Sequence, residues 1–203
     1  MLAKFINCYE SISQISKNDN NESLVYSDIK LYNLDKISVQ ENLSCYKTPD
    51  AIQIKEKNIF LIEFKGGEEI LNFNLKDLKK EIKTEKNELE KYKKIIKLKK
   101  KKEIEESLKL KLTETMLFIL PQILKKDFKK ILDEFKIWYI VIVSDKIILH
   151  PNIQRNRMSN LSNYPKSTEL GLKKYNKNSS MLKVITENTT FFNKKIVEHL
   201  ITS

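Results

Sequence analysis

Seven consecutive β-prone apolar residues, Ile137-Trp138-Tyr139-Ile140-Val141-Ile142-Val143, constrain this chain more than any other feature. A strand with one wet face alternates apolar and polar side chains. An unbroken run needs cover on both faces, and so predicts a central strand in a layered α/β domain. Ile147–Leu149 is expected to pair beside it. The 203 residues suffice for one such domain and its core. No stretch approaches the ~20 apolar residues of a membrane span, and the N-terminus lacks the pattern of a secretory signal. Cys8 and Cys45, the only cysteines, are too few for a disulfide framework or a four-ligand zinc cluster. A cytoplasmic setting without membrane contact is expected.

Other elements follow from periodicity. Leu2, Phe5, Ile6, Tyr9 and Ile12 fall at spacings of three and four, predicting an amphipathic helix over 1–16. Residues 24–48 carry short extended runs, Ile37-Ser38-Val39 and Leu43–Tyr46, and predict one strand. Ala51–Ile54 and Ile59–Lys65 read as two strands joined by the turn Lys55-Glu56-Lys57-Asn58, with Asn suited to a left-handed conformation. Leu78, Ile82, Leu89, Tyr92 and Ile96 have the spacing of a coiled-coil seam and predict a charged helix over 75–98. Lys99–Lys102 is expected to break it before a second helix carrying Ile104, Leu108, Leu112, Met116, Ile119 and Ile123, the two forming a hairpin. After Pro151 the chain is polar to about Ser180, and Met181–Ile201 reads as a final helix. Residues 1–150 are expected to form the core, with 151–203 packed on the same domain.

The net charge of +11 is unevenly spread: −3 over residues 1–75, +7 over 76–112, +1 over 113–150 and +6 over 151–203. Arginine occurs only at 155 and 157, so part of the lysine excess can reflect codon bias. The clustering still suits an acidic site flanked by arms that attract phosphate. A solvated, charged helix accounts for the middle segment equally well.

The acids and bases that matter lie on the predicted hairpin. If its turn closes at 55–58, paired residues have numbers that sum to 113, so Ile54 faces Ile59, Ile52 faces Leu61 and Asp50 faces Glu63. Lys65 projects from the same face as Glu63. Two carboxylates ~5 Å apart on apolar strands repel one another, and burial raises the cost. A divalent cation resolves the conflict, and oxygen ligands of this kind suit Mg²⁺ or Mn²⁺. Such a metal activates water and stabilises charge on a phosphodiester. The same residues would also serve a surface hairpin in which Lys65 only pairs with a carboxylate.

Pro49-Asp50 followed by Glu63-Phe64-Lys65 resembles the PD-(D/E)XK nuclease superfamily. The resemblance covers about residues 1–150. It implies an α/β, restriction-endonuclease-like core in αβββαβ order, a mixed sheet flanked by helices, with 66–104 as a long charged helical insertion. It further implies Asp50, Glu63 and Lys65 as catalytic residues, and Asp50, Glu63 and the Phe64 backbone carbonyl as Mg²⁺ or Mn²⁺ ligands. Glu10 on the first helix is a further metal candidate, with Glu41 behind it. Lys109 and Lys111 on the following helix, with Arg155, Arg157, Lys173 and Lys174, are candidates for nucleic-acid contact. The implied activity is Mg²⁺-dependent endonucleolytic hydrolysis of nucleic acid, DNA before RNA, in defence, restriction, transposition, recombination or repair. The competing expectation is an inactive nuclease-fold protein that binds nucleic acid or serves assembly. Helix 75–98 is the candidate surface for a second copy or a partner protein. Neither His150 nor His199 forms a local metal motif, and Gly66, Gly67 and Gly171 make no phosphate-binding loop.

Overall fold

The computed structural model describes residues 2–17, 21–66, 75–143, 172 and 182–188. Among these residues six strands form one mixed sheet in sequential order: β1 (Tyr9–Ser11), β2 (Lys30–Asn33), β3 (Ala51–Lys55), β4 (Asn58–Lys65), β5 (Lys136–Val143) and β6 (Leu182–Asn188). The first four are antiparallel neighbours, whereas β5 runs parallel to β4, and β6 to β5. The parallel β4–β5 pair needs a crossover. Helices α3 (Leu75–Thr84), α4 (Glu88–Glu114), α5 (Leu120–Leu124) and α6 (Phe128–Glu134) lie in that connection.

The apolar run behaves as its composition requires. Ile137, Tyr139 and Val141 pack on one face beneath Leu108, Leu112, Met116 and Ile119, while Ile140 and Ile142 pack on the other with Ile12, Val25 and Ile62. The central strand is thus buried from both sides.

The N-terminal expectation is corrected. Instead of one helix over 1–16, a 3₁₀ turn (Ala3–Cys8) leads into edge strand β1, and a short helix α1 (Ile12–Ile15) follows. Phe5 has non-helical angles, and the side chains of Ser11 and Gln14 start α1 with a reciprocal cap. Leu2 and Phe5 belong to one face of the sheet and Ile12 to the other, which a single helix could not serve. Ile37-Ser38-Val39 lies within helix α2 (Leu34–Gln40), capped by Asn33, and the strand expected in 24–48 is β2. The register of the β3–β4 hairpin is as read, with Ile54 opposite Ile59 and Ile52 opposite Leu61. The strands extend to Lys55 and Asn58, however, so the turn is Glu56-Lys57, and Glu56 carries the positive φ rather than Asn58.

The helix break is also displaced. It falls at residues 85–87, where Asn87 caps α4 by accepting from the Glu90 amide. Lysine is a good helix former, and Lys99–Lys102 passes through α4 unbroken. A π-helical turn over Thr115–Ile119 links α4 to α5 and accommodates Pro121 at the start of the next segment. The core-facing side of α4 carries Lys101, Glu105, Leu108 and Leu112, while Leu89, Tyr92 and Ile96 are exposed. Leu182–Asn188 is strand β6 rather than the start of a helix. Leu182 and Val184 are buried and Lys183 exposed, a two-residue period. Part of the segment expected to pack beside the core therefore belongs to the sheet itself. Ile147–Leu149 lies outside the described residues. Among the described residues no helix is long and apolar enough to cross a membrane.

Candidate active site

The hairpin register places Ala51 opposite Ile62, and Asp50, one residue before β3, comes beside Glu63. Its Oδ2 accepts the Phe64 backbone N–H at 2.6 Å. Glu63 projects from β4 toward the helical layer with its side chain fully buried. Leu61 and Ile59, which share its face, are core residues. A lone carboxylate could not be accommodated there. Two lysines supply the compensation. Lys65 Nζ lies 2.6 Å from Glu63 Oε1, and Lys111 Nζ from α4 lies 2.9 Å from both Glu63 oxygens. Lys111 is also 3.6 Å from Asp50 Oδ1, so one ammonium spans the two acids.

The electrostatics follow from burial. Desolvation and the neighbouring Glu63 charge push the Asp50 carboxyl up to about 7, against the lowering effects of Lys111, the Phe64 amide and Lys65. Burial alone would lower the Lys111 amine, but Glu63, Asp50 and Asp35 overcome it, and the net shift is upward. Tyr139, buried beneath the site with its hydroxyl donating to the Leu108 carbonyl at 3.4 Å, is raised by desolvation and by both carboxylates.

Of the residues singled out from sequence, Asp50, Glu63, Lys65 and Lys111 come together. Lys109 does not: two residues apart on a helix, the side chains of Lys109 and Lys111 point about 200° apart, and the charge that Lys109 acts on is Glu105. Glu10 is not on a helix. It lies on β1 opposite Leu31, whose side chain packs on the sheet face remote from Glu63, and it is held by the Asn33 amide at 2.9 Å and by Lys36. Glu41 pairs with Lys4 at 2.5 Å and faces Lys125 at 3.8 Å. Neither acid joins Asp50 and Glu63. Arg155, Arg157, Lys173 and Lys174 lie outside the described residues. The acid that sequence reasoning missed is Asp35, in the first turn of α2. It stands at the exposed rim, accepts from Thr48, and is close enough for Lys111 and Glu63 to act on its charge. Its signal was the Asn33 cap, which turns the chain toward the hairpin.

Among the described residues no three histidine, cysteine or acidic side chains are grouped to hold a metal. The donor set that fits a hard divalent cation is the pair Asp50 and Glu63, an oxygen pair that would leave other positions to water or phosphate. Asp50 is pushed up first by burial and then by the Glu63 charge; a cation would offset the second, and the Lys111 ammonium would compete with it for the same two carboxylates. Comparisons with protein-family models, with curated proteins and with solved structures find no match for this chain.

Proposed function

We propose that this protein is a metal-dependent nuclease of the PD-(D/E)XK type that hydrolyses phosphodiester bonds in nucleic acid, DNA before RNA. The observation that carries the reading is the pairing of Asp50 with buried Glu63 at the end of a hairpin, with Lys65 and Lys111 converging on the same carboxylates. The element order supports it as well. Strands β2, β3 and β4, the helical crossover with α4, and the parallel strand β5 are compatible with the αβββαβ order implied by the resemblance, although edge strand β1 precedes them and the short helix α2 lies between β2 and β3.

In this reading Asp50 and Glu63 would hold Mg²⁺ or Mn²⁺, with the Phe64 carbonyl as a further candidate oxygen. The ion supplies Lewis acidity toward water and the scissile phosphate. Lys65, its ammonium tied to Glu63 at the partly open end of β4, would orient the attacking water and donate a hydrogen bond toward the charge that develops on the scissile phosphate. Lys111, which spans the same two carboxylates, would supply positive charge toward the negative charge that develops on the phosphate. The buried wall formed by Glu63 and Tyr139 excludes bulk water from one side of the reaction.

Cleavage of single-stranded, double-stranded and branched DNA, and of RNA, with Mg²⁺, Mn²⁺ or EDTA tests this reading. Cleavage that needs metal and falls by about 100-fold or more in Asp50→Ala and Lys65→Ala is expected. Metal-independent cleavage, or full activity in both variants, would refute it. One observation favours a second reading, a nucleic-acid-binding or assembly protein without cleavage: Lys111 and Lys65 together balance the two carboxylates with no metal ion required. That protein would bind nucleic acid in a salt-sensitive manner, and binding would survive Asp50→Ala.

A further inference from the structure

The sheet face remote from Glu63 ends in a second, different cluster. Phe60, Trp138 and Lys183 occupy one row across β4, β5 and β6, and Asn58 and Lys136 occupy the next. Farther along the same face Ile62, Ile140 and Ile142 are fully covered, but Phe60 and Trp138 are only half-buried and Lys183 is exposed. The indole is fixed in place: Trp138 Nε1 donates to Asn58 Oδ1 at 3.1 Å. Its ring lies within 19° of parallel to Phe60, with centroids 6.2 Å apart. The two rings thus form one preorganised platform.

Two cations converge on that platform. Lys136 Nζ lies 4.6 Å and Lys183 Nζ 5.1 Å from the Trp138 ring centroid. Burial and then the neighbouring Lys183 charge push the Lys136 amine below its ordinary range. Among the described residues neither ammonium has a carboxylate within ion-pair distance. The indole faces attract cations, and the two ammonium groups concentrate positive charge beside a half-buried aromatic surface. An anion beside an aromatic surface satisfies both features.

We propose that this face binds single-stranded nucleic acid, with a base stacked on the open part of the Phe60–Trp138 platform and its flanking phosphates held by Lys136 and Lys183. Stacking needs a base free of its own duplex neighbours, which selects a single strand over a duplex. The site lies on the opposite side of the sheet from Asp50 and Glu63, so it tethers a strand rather than cleaves it. It does not depend on the nuclease reading.

Trp138 is the only tryptophan in the chain, so its fluorescence reports on this site alone. The full chain is titrated in EDTA, where no metal-dependent cleavage interferes, with an oligothymidylate, a duplex of equal length, and tripolyphosphate. Saturable quenching by the oligothymidylate, much weaker with the duplex, is expected. Lys136→Ala and Lys183→Ala should each weaken binding severalfold and flatten the dependence of log affinity on log salt by about 0.7. Trp138→Phe, with its fold checked by circular dichroism, keeps an aromatic ring but gives up indole area. It should weaken binding of a labelled oligothymidylate, followed by anisotropy, and Trp138→Ala should weaken it roughly tenfold. Absence of quenching, unchanged affinity in the lysine variants, or tripolyphosphate binding as tightly as the oligothymidylate would each overturn the proposal. Loss of cleavage in Asp50→Ala with quenching intact would separate the two sites.

Discussion

Glu63 is the residue around which the others are arranged: a carboxylate with no exposed surface, on a strand whose preceding inward positions, Ile59 and Leu61, are apolar. Its neighbour Asp50 bears the cost, and that has a sign in pH. The folded value of about 7 lies above the unfolded value of about 3.9, so between them the folded state binds more protons. Stability contributed by Asp50 is therefore present at low pH and is lost as pH rises from about 4 through 7. Asp50→Asn should match the wild type near pH 4 and exceed it above pH 7 by a few kcal/mol, since the gap between the two proteins widens by about 1.4 kcal/mol for each pH unit in that window. Urea unfolding in EDTA across that range measures it; parallel curves for the two proteins would refute the assignment. Lys111 gives a second test. Lys111→Met removes the ammonium between the acids, so the metal-free protein should lose stability by ~3 kcal/mol or more. Mg²⁺ should then raise its melting temperature more than it raises that of the wild type, because the competitor for the carboxylates is gone. Equal shifts would mean that the cation binds elsewhere.

At the scale of elements, α4 is two different helices in one. Its C-terminal half presents Leu108 and Leu112 to the sheet and is held by packing. Its N-terminal half extends past the core with Leu89, Tyr92 and Ile96 at 55–65% exposure, and it is held by α3, by the Asn87 cap, and by Lys94 bridging to Glu85 at 2.8 Å. Asn87→Ala should cost about 1 kcal/mol. The cost should be local: amide exchange should speed up over residues 88–93 and stay unchanged over 105–112. Uniform acceleration along the helix would show that the hairpin and the core open together. Of the apolar positions read from the sequence, Leu108, Leu112, Met116, Ile119 and Ile123 are buried, and Ile104 packs half-buried at the margin of the core. The predicted break at the lysine run failed, because Lys101 turns to the buried side of α4, lysine is a good helix former, and repulsion among exposed lysines is screened. The true break carried an Asn followed three residues later by Glu, a capping signal.

At the largest scale, the described residues build a sheet with two chemically distinct faces. One is covered by the crossover helices and interrupted by the Glu63 site; the other is covered by Ile12, Val25 and neighbouring apolar residues. Among the described residues the two clusters lie on opposite sides of the strands. Leu112→Ala on the first and Ile140→Ala on the second should each cost about 3 kcal/mol. Because they share no side-chain contacts, their effects should add to within about 0.5 kcal/mol in urea unfolding. A large deviation would mean that the strands transmit repacking from one face to the other.

Some of this architecture was written locally in the chain. The run Ile137–Val143 required cover on both faces, and the hairpin numbering placed Asp50 beside Glu63 and Lys65 on their face, because strand alternation is a property of the backbone itself. Other features depended on contacts between distant segments. Which lysine of α4 meets Glu63 depends on the rotation of a helix seated on a sheet, and this selected Lys111 over Lys109. The N-terminal residues divide between two faces because an edge strand docks on β2, and this carried Glu10 away from the site and left Asp35 beside it. Leu182–Asn188 is a strand because β5 offers it a parallel edge, and Trp138 gathers two lysines only once β5 and β6 are side by side. Periodicity records which face a residue takes within its own element; the partner across that face is decided by how the elements pack.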